Sequence, residues 1–340
     1  MTTMRSRIVA LSAVSVLAAC SGDSTGAGGG GNGAGGDAAG YPERNITVVV
    51  PFSAGGPTDT VTRMIAEPMA AALGGRVVVR NVEGAGGTVA AGEVTRADPD
   101  GYTVLMHHIG MSTAPALYKD LGYAPLTDFA TVGLVTEVPM TVIARKDFPP
   151  ATLPDLVTYV TANAGEVTLA NAGIGAASHL CGLLFQSAAG VTLQEVPYQG
   201  TGPALTDLVG GQVDVMCDQT TNTTGQIAAG EVKAYAVTTP ERVRSLPDVP
   251  TTAEAGMPRL RVSVWHGLYV PAGTPPEVVR KLSGALRTAL ADPAVVDAMA
   301  KLGTAPVAAA DATPEAHRAR LAEQITTWAK VIADAGVEAS

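Results

Sequence analysis

The sequence predicts an α/β protein of two lobes, on three observations. Strand-like runs alternate with helical segments from Ile46 onward, the middle of the chain repeats that grammar on its own, and two extended segments flank the repeat. Ile46 to Val50 is a continuous β-branched run, Thr58 to Leu73 has helical spacing, and Val77 to Val82 and Tyr102 to Met106 read as further strands. In the middle block Val167 to Ala170, Leu193 to Tyr198 and Val213 to Asp218 read as strands, separated by helices over Ser178 to Ala188 and Pro203 to Val209. The alternation implies a parallel sheet, because parallel neighbours need a crossover long enough to hold a helix. Val138 to Arg145 and Arg261 to Val270 each lead from one block to the other. Residues 41–142 and 265–340 are therefore expected to form one discontinuous lobe and residues 143–264 the second, with a ligand cleft at the hinge. Pro275 to Val337 reads as helices packing on the first lobe.

The amino terminus carries an export pattern. Arg5 and Arg7 precede an apolar run from Ile8 to Leu17 that ends in Leu17-Ala18-Ala19-Cys20. The run is too short to span a bilayer as a helix, and small residues before a cysteine are the cleavage pattern of a bacterial lipoprotein. Residues 1–19 are read as the signal and Cys20 as the lipidation site, the alternative being an ordinary cleaved signal with an incidental cysteine. Residues 20–40 read as a flexible tether, since almost only Gly, Ala, Ser, Thr, Asn and Asp cannot bury a core. The expected location is extracytoplasmic, with a lipid anchor at Cys20. About 300 residues remain, more than a single core usually holds. Aromatics make up only 4% of the chain, so Val, Ala, Leu and Ile must fill the cores. A net charge of -9 without a basic patch excludes a nucleic-acid partner. The same charge gives no help to an anionic ligand, so local donors must hold one.

Those donors point to two loops. Pro51-Phe52-Ser53-Ala54-Gly55-Gly56-Pro57-Thr58-Asp59 follows the first strand and opens the first helix, with Gly56 at the N-cap, Pro57 in the first turn and Asp59 able to bond back. Free N–H groups at a helix start, with the positive end of the dipole behind them, suit a carboxylate or phosphate. The plain alternative is a tight turn, and the Walker lysine is absent. Asn171-Ala172-Gly173-Ile174-Gly175-Ala176-Ala177-Ser178-His179 repeats the arrangement in the middle block. Two such loops at the carboxyl ends of strands should meet across a cleft. Neither contains Lys or Arg, which favours neutral hydrogen bonding of a small carboxylate over capture of phosphate. Gly173-x-Gly175 with Glu195 is half of a dinucleotide fingerprint, but Ser178 replaces the third glycine and Glu195 lies inside a strand.

Catalytic constellations are missing: there is no G-x-S-x-G, H-E-x-x-H or C-x-x-C. His107 and His108 are neighbours on a strand, so they point to opposite faces and cannot share a metal; one should face the cleft and the other the lobe. His179 reads as a donor or packing group in the first helical turn. Asp218 ends a strand and is either a ligand contact or a helix cap. No cofactor, metal or catalytic residue is expected.

Several stretches together carry a family likeness: Val50 through Asp59, Gly84-Ala85-Gly86-Gly87, Pro99-Asp100-Gly101-Tyr102, Asn171 through Leu180, Val196-Pro197-Tyr198-Gln199-Gly200, Gly210 through Asp214, Val249 through Gly256 and Pro271 through Pro275. In these the chain resembles the receptors of tripartite tricarboxylate transporters, the Bug receptors, along the whole mature chain. The resemblance implies a two-lobe periplasmic-binding-protein fold of the Venus-flytrap type II form, with two crossover strands. It implies a monomer that holds a small carboxylate, partly through ordered waters, for membrane permease subunits. The ligand positions it carries over are Phe52, Ser53, Ala54, Gly55, Gly56, Thr58 and Asp59 in the first loop, and Asn171, Gly175, Ala176, Ala177, Ser178 and His179 in the second. Tyr198, Gly200, Thr201 and Asp218 follow, with His108 and Ser112 as looser assignments.

Cys181 and Cys217 depart from that family's usual small residue and aromatic, and the Gln219 to Thr224 run containing Asn222 is unusual. Once Cys20 is lipidated these are the remaining cysteines. Export permits a bridge between them, the alternative being two inert buried thiols. Two rival functions stay open: a sensor that reports the same ligand to a membrane kinase, and a secreted hydrolase using Ser178 and His179. Adjacent helical residues point about 100° apart and no orienting acid is near, which weighs against the second.

Overall fold

The computed structural model describes residues 40–334 and 336–339. The signal, Cys20 and all but the last residue of the tether fall outside the described residues. In chain order the first half holds β1 (Ile46–Val50), α1 (Pro57–Leu73), β2 (Val77–Asn81), α2 (Thr88–Val94), β3 (Thr103–His108), α3 (Gly110–Leu117), β4 (Phe129–Arg145) and α4 (Leu153–Ala162). The second half holds β5 (Thr168–Asn171), α5 (Ala177–Ala189), β6 (Gln194–Pro197), α6 (Thr201–Val209), β7 (Val215–Gln219), α7 (Thr220–Ala228), β8 (Val232–Val237), β9 (Ser263–Pro271), α8 (Pro276–Leu290), α9 (Pro293–Lys301) and α10 (Pro314–Asp334).

The strands run in the order β2-β1-β3-β9-β4-β7-β5-β6, with β8 also paired to β4. Inside each block the pairing is parallel: β1 with β2 and β3, and β5 with β6 and β7. The sheet as a whole is mixed, which corrects the expectation of a parallel one. The strand that leaves the first block and the strand that returns to it must run in opposite directions, so β4 and β9 pair antiparallel from Phe129–Pro271 to Pro139–Ser263. At Met140 β4 changes partners and continues against β7 and β8. β4 begins well before Val138. Its first half carries two register shifts, between Thr131 and Gly133 and between Leu134 and Thr136.

One lobe is built on α1 and α8, whose Val61, Ile65, Leu282 and Leu286 pack on Val48, Val104 and Leu268. In the other, Leu205 and Leu208 of α6 cover Ile143 and Met216. Burying each such side chain contributes roughly 1.5–3 kcal/mol, so these aliphatic contacts replace the scarce aromatics.

Cys181 on α5 and Cys217 on β7 are joined as a disulfide, with Cα atoms 5.9 Å apart and a sequence separation of 36. Successive strand residues face opposite sides. Anchoring Cys217 to α5 therefore sends Asp218 to the other face of β7, toward Thr201 and Asn222. Replacing both cysteines by alanine is expected to lower unfolding free energy by about 3 kcal/mol in urea titrations. The unreduced, unfolded mature chain should show no reactive thiol; two free thiols would refute the bridge.

Candidate functional site

Four helices begin near the line where the lobes meet, and none has a side-chain cap at its start: α1 after Gly56, α5 after Ala176, α6 after Gly200 and α7 after Gln219. Of the helices elsewhere, α2, α3 and α8 also start without a side-chain cap, whereas α4 and α9 have one. Thr152 and Asp155 form a full capping box on α4, and Asp292 caps α9. Uncapped first turns leave backbone N–H groups open at the positive end of each helix, where an anion is stabilised.

The starts converge because the lobes touch. The Ser53 N–H donates to the Gln199 carbonyl at 3.2 Å, and the Thr113 hydroxyl to the Gly175 carbonyl at 3.2 Å. The Tyr118 hydroxyl lies 2.7 Å from the Ile174 carbonyl and 2.8 Å from that of Ala85. Phe52 packs on Ala172 and Ala176 across the gap. Buried oxygens at this seam without a hydrogen-bond partner among the described residues are Ser53 Oγ, Asp218 Oδ1, Gln219 Oε1 and Thr221 Oγ1. The other Asp218 oxygen accepts from Asn222 Nδ2 at 2.5 Å. Burial pushes the Asp218 carboxyl up to about 7, against the lowering effect of Asn222, Gln219 and Thr201. Its negative charge is therefore only partly present at neutral pH.

Histidines floor the first-lobe side. The His108 ring stacks on Phe52 with centroids 4.8 Å apart. Its Nδ1 accepts from the Gly110 N–H at 2.9 Å, which makes Nε2 the protonated nitrogen. His107 turns toward Gly87. His266 of β9 meets the Thr58 hydroxyl at 3.3 Å. Burial lowers His107 to about 4 and His266 to about 3, and holds His108 well below its ordinary value. All three are neutral at pH 7, so they bring no cation to the seam. Among the described residues no group of three or more His, Cys, Asp or Glu is placed to hold a metal ion.

Several side chains assigned to the ligand are occupied within their own lobe. Asp59 accepts from the Gly55 N–H at 2.9 Å, from Arg63 Nε at 2.8 Å and from Asn81 Nδ2 at 3.0 Å. Burial pulls its carboxyl up, but those bonds outweigh it and hold the group below the usual range. The Gly55 N–H is thus not free for a ligand, and Asp59 shapes the loop. Asn171 accepts from the Gly173 N–H and donates to Glu195, which also braces Gln186. Ser178 Oγ accepts from the Ala172 N–H at 2.9 Å. His179 Nδ1 accepts from the Gly175 N–H at 3.2 Å, with Nε2 3.6 Å from Glu195. Ser178 and His179 are therefore both engaged with loop groups rather than with each other. The Tyr198 hydroxyl donates to Asp207 at 2.7 Å, and Ser112 to the Ile109 carbonyl.

Phe52, Ser53, Ala54 and Gly56 are brought against Ala176, Gly200 and Gly202 of the other lobe, with Gly56 and Gly202 backbones adjacent, while Thr58 faces His266. Asp218 lies beside Thr201, held through Asn222. His266 escaped the sequence reading. Its signal was a polar residue inside the apolar run Ser263–Pro271.

Residues 61–337 match the tripartite tricarboxylate transporter family receptor. The chain belongs to that family. The receptor is similar to the periplasmic binding protein BugD, with 54% identity and a TM-score of 0.87 over 88% of this chain and 100% of that one. MatC from Rhodopseudomonas palustris with bound malate is 42% identical, TM-score 0.84, over 86% of the receptor and 100% of MatC. The R. palustris protein Rpa4515 with adipate is 32% identical, TM-score 0.84, over 88% and 100%. The receptor thus has the two-lobe periplasmic-binding-protein fold in a family of solute-binding proteins, not a family of enzymes. Among the described residues no helix is long and apolar enough to cross a membrane.

Proposed function

We propose that the receptor captures a small mono-, di- or tricarboxylate between its lobes outside the cytoplasmic membrane, as a monomer anchored through Cys20. It then presents that ligand to the permease subunits of a tripartite tricarboxylate-type transporter. The observation that carries the reading is the seam itself: uncapped helix starts, a buried Ser53 hydroxyl without a partner among the described residues, and Arg63 beside the first loop already paired with Asp59. Neutral dipoles fixed in a desolvated space hold a carboxylate without the cost of reorganising water. Malate in MatC and adipate in Rpa4515 support this ligand class.

A thermal-shift panel of mono-, di- and tricarboxylates and amino acids tests it. A ligand at 100 times its Kd stabilises the folded state by about 2.7 kcal/mol. A flat response across the panel would remove the proposal.

Asp218 sets which acid is preferred. Oδ1 needs a donor, which an amino or hydroxyl group on the ligand supplies, whereas a second ionised carboxylate there is repelled. Asp218→Asn is expected to shift the ranking about tenfold from amino acids toward plain polycarboxylates, read by calorimetry. An unchanged ranking would exclude direct contact.

A further inference from the structure

Where the chain crosses between the lobes, a second cavity of about 450 Å³ opens, away from the helix starts of the ligand seam. Its walls come from both sides of the hinge. Leu184 of α5 and Arg259 and Arg261, on the approach to β9, lie on one side; Trp328 and Val331 of α10 lie on the other, and Trp265 of β9 lies at the crossing. The volume is that of a small-molecule site.

Its charge runs against the molecule. Arg320 reaches Glu137 at 3.1 Å, and Ser263 binds the other oxygen of the same carboxylate. That pair is satisfied. The Arg259 and Arg261 side chains are exposed and make no ion pair or hydrogen bond among the described residues, in a chain of net charge -9. Trp265 is only 2% exposed, and its indole N–H has no acceptor among the described residues. Buried indole donors normally find one. The cavity therefore offers uncompensated guanidinium groups and an apolar wall of Leu184, Trp328 and Val331.

We propose that this hinge cavity is a second binding site, for a small organic acid with an aromatic or apolar body. Arg259 and Arg261 take the carboxylate, and the body lies along Trp328 and Val331. Because the walls belong to both sides of the hinge, an occupant fits one hinge angle better than another and biases lobe closure; by reciprocity the cleft ligand alters affinity here.

Trp265 and Trp328 are the tryptophans of the chain, so intrinsic fluorescence reports on this cavity. Benzoate titrated into the mature receptor should give a saturable change that benzamide, its uncharged analogue, does not. Arg259→Gln/Arg261→Gln, checked for an unchanged melting temperature, should weaken the benzoate response at least tenfold. Gly200→Ala, which obstructs the cleft, should still give a saturable response, with its midpoint moved only by the coupling to closure. Absence of a saturable change would overturn the proposal. So would an equal response in the arginine variant, or a response lost in Gly200→Ala, since either would assign the signal to the cleft.

Discussion

Gly200→Ala is expected to lower the affinity of the strongest panel ligand about 100-fold, a loss of about 2.7 kcal/mol, while the free receptor melts as before. Gly200 has φ of 167°, an extended conformation open to any residue. The constraint is the opposite lobe. A Cβ there would lie 2.1 Å from Ser53 Oγ and 2.9 Å from the Ser53 nitrogen, in the first-lobe loop. Alanine fits the second lobe by itself but not the closed pair, so it acts on closure rather than on folding. The glycines of the two cradles make a poorer test. Gly55 and Gly175 both have φ of +78°, where any side chain strains the backbone, and substitution there mixes folding with binding. Calorimetry, with small-angle scattering to follow compaction on ligand addition, checks the prediction. Wild-type affinity in Gly200→Ala would mean that ligand binding does not need this approach of the lobes.

Acid should unfold the receptor early. All five histidines are buried, and burial lowers each, His107 to about 4 and His266 and His317 to about 3, with His108 and His179 also below the ordinary value. In the unfolded chain they titrate near 6.5, so below that pH the unfolded state binds more protons. Their contribution is complete above about pH 6.5 and declines as pH falls toward the folded values, by up to about 1.4 kcal/mol per histidine per pH unit. Asp218 works the other way. With its folded value raised to about 7, its contribution is complete below the unfolded carboxylate value and is lost as pH rises through the folded one. It offsets one histidine over that window, so that His107, His108, His266 and His317 leave an uptake of roughly three protons on unfolding near pH 5. Stability should fall by roughly 5 kcal/mol between pH 6.5 and pH 5, comparable with the whole stability of a small domain. Melting curves across that range check this, and Asp218→Asn should steepen the fall. A melting temperature flat from pH 6.5 to pH 5 would mean that the histidines are not buried neutral.

Much of the architecture was legible because it is written in short-range pattern. The β-branched run at Ile46–Val50 has no helical period, and Thr58 to Leu73 has one, whatever surrounds them. Gly56-Pro57 announces a helix start through backbone chemistry alone, and α1 begins there. Asp59 bonding back to Gly55 was readable from the same turn. Gly133 and Thr136 hid the first half of β4, because its strand character comes from pairing with β9 rather than from its own composition.

By itself the sequence determined the alternation of strands and helices, the placing of glycine-rich loops at helix starts, the absence of cations in those loops, and the family. These follow from periodicity and turn stereochemistry, which need only near neighbours. Tertiary structure alone decided which polar groups remain open. Asp59 is satisfied by Arg63 and Asn81, Asn171 by Gly173 and Glu195, and Tyr198 by Asp207, while Ser53 Oγ and Asp218 Oδ1 are left buried without partners. It also brought His266 to the seam and placed both tryptophans in one hinge cavity. The physical reason is that satisfaction of a polar group depends on what the chain brings within 3.5 Å of it, and at these sites the decisive groups lie in other loops, other strands and the other lobe.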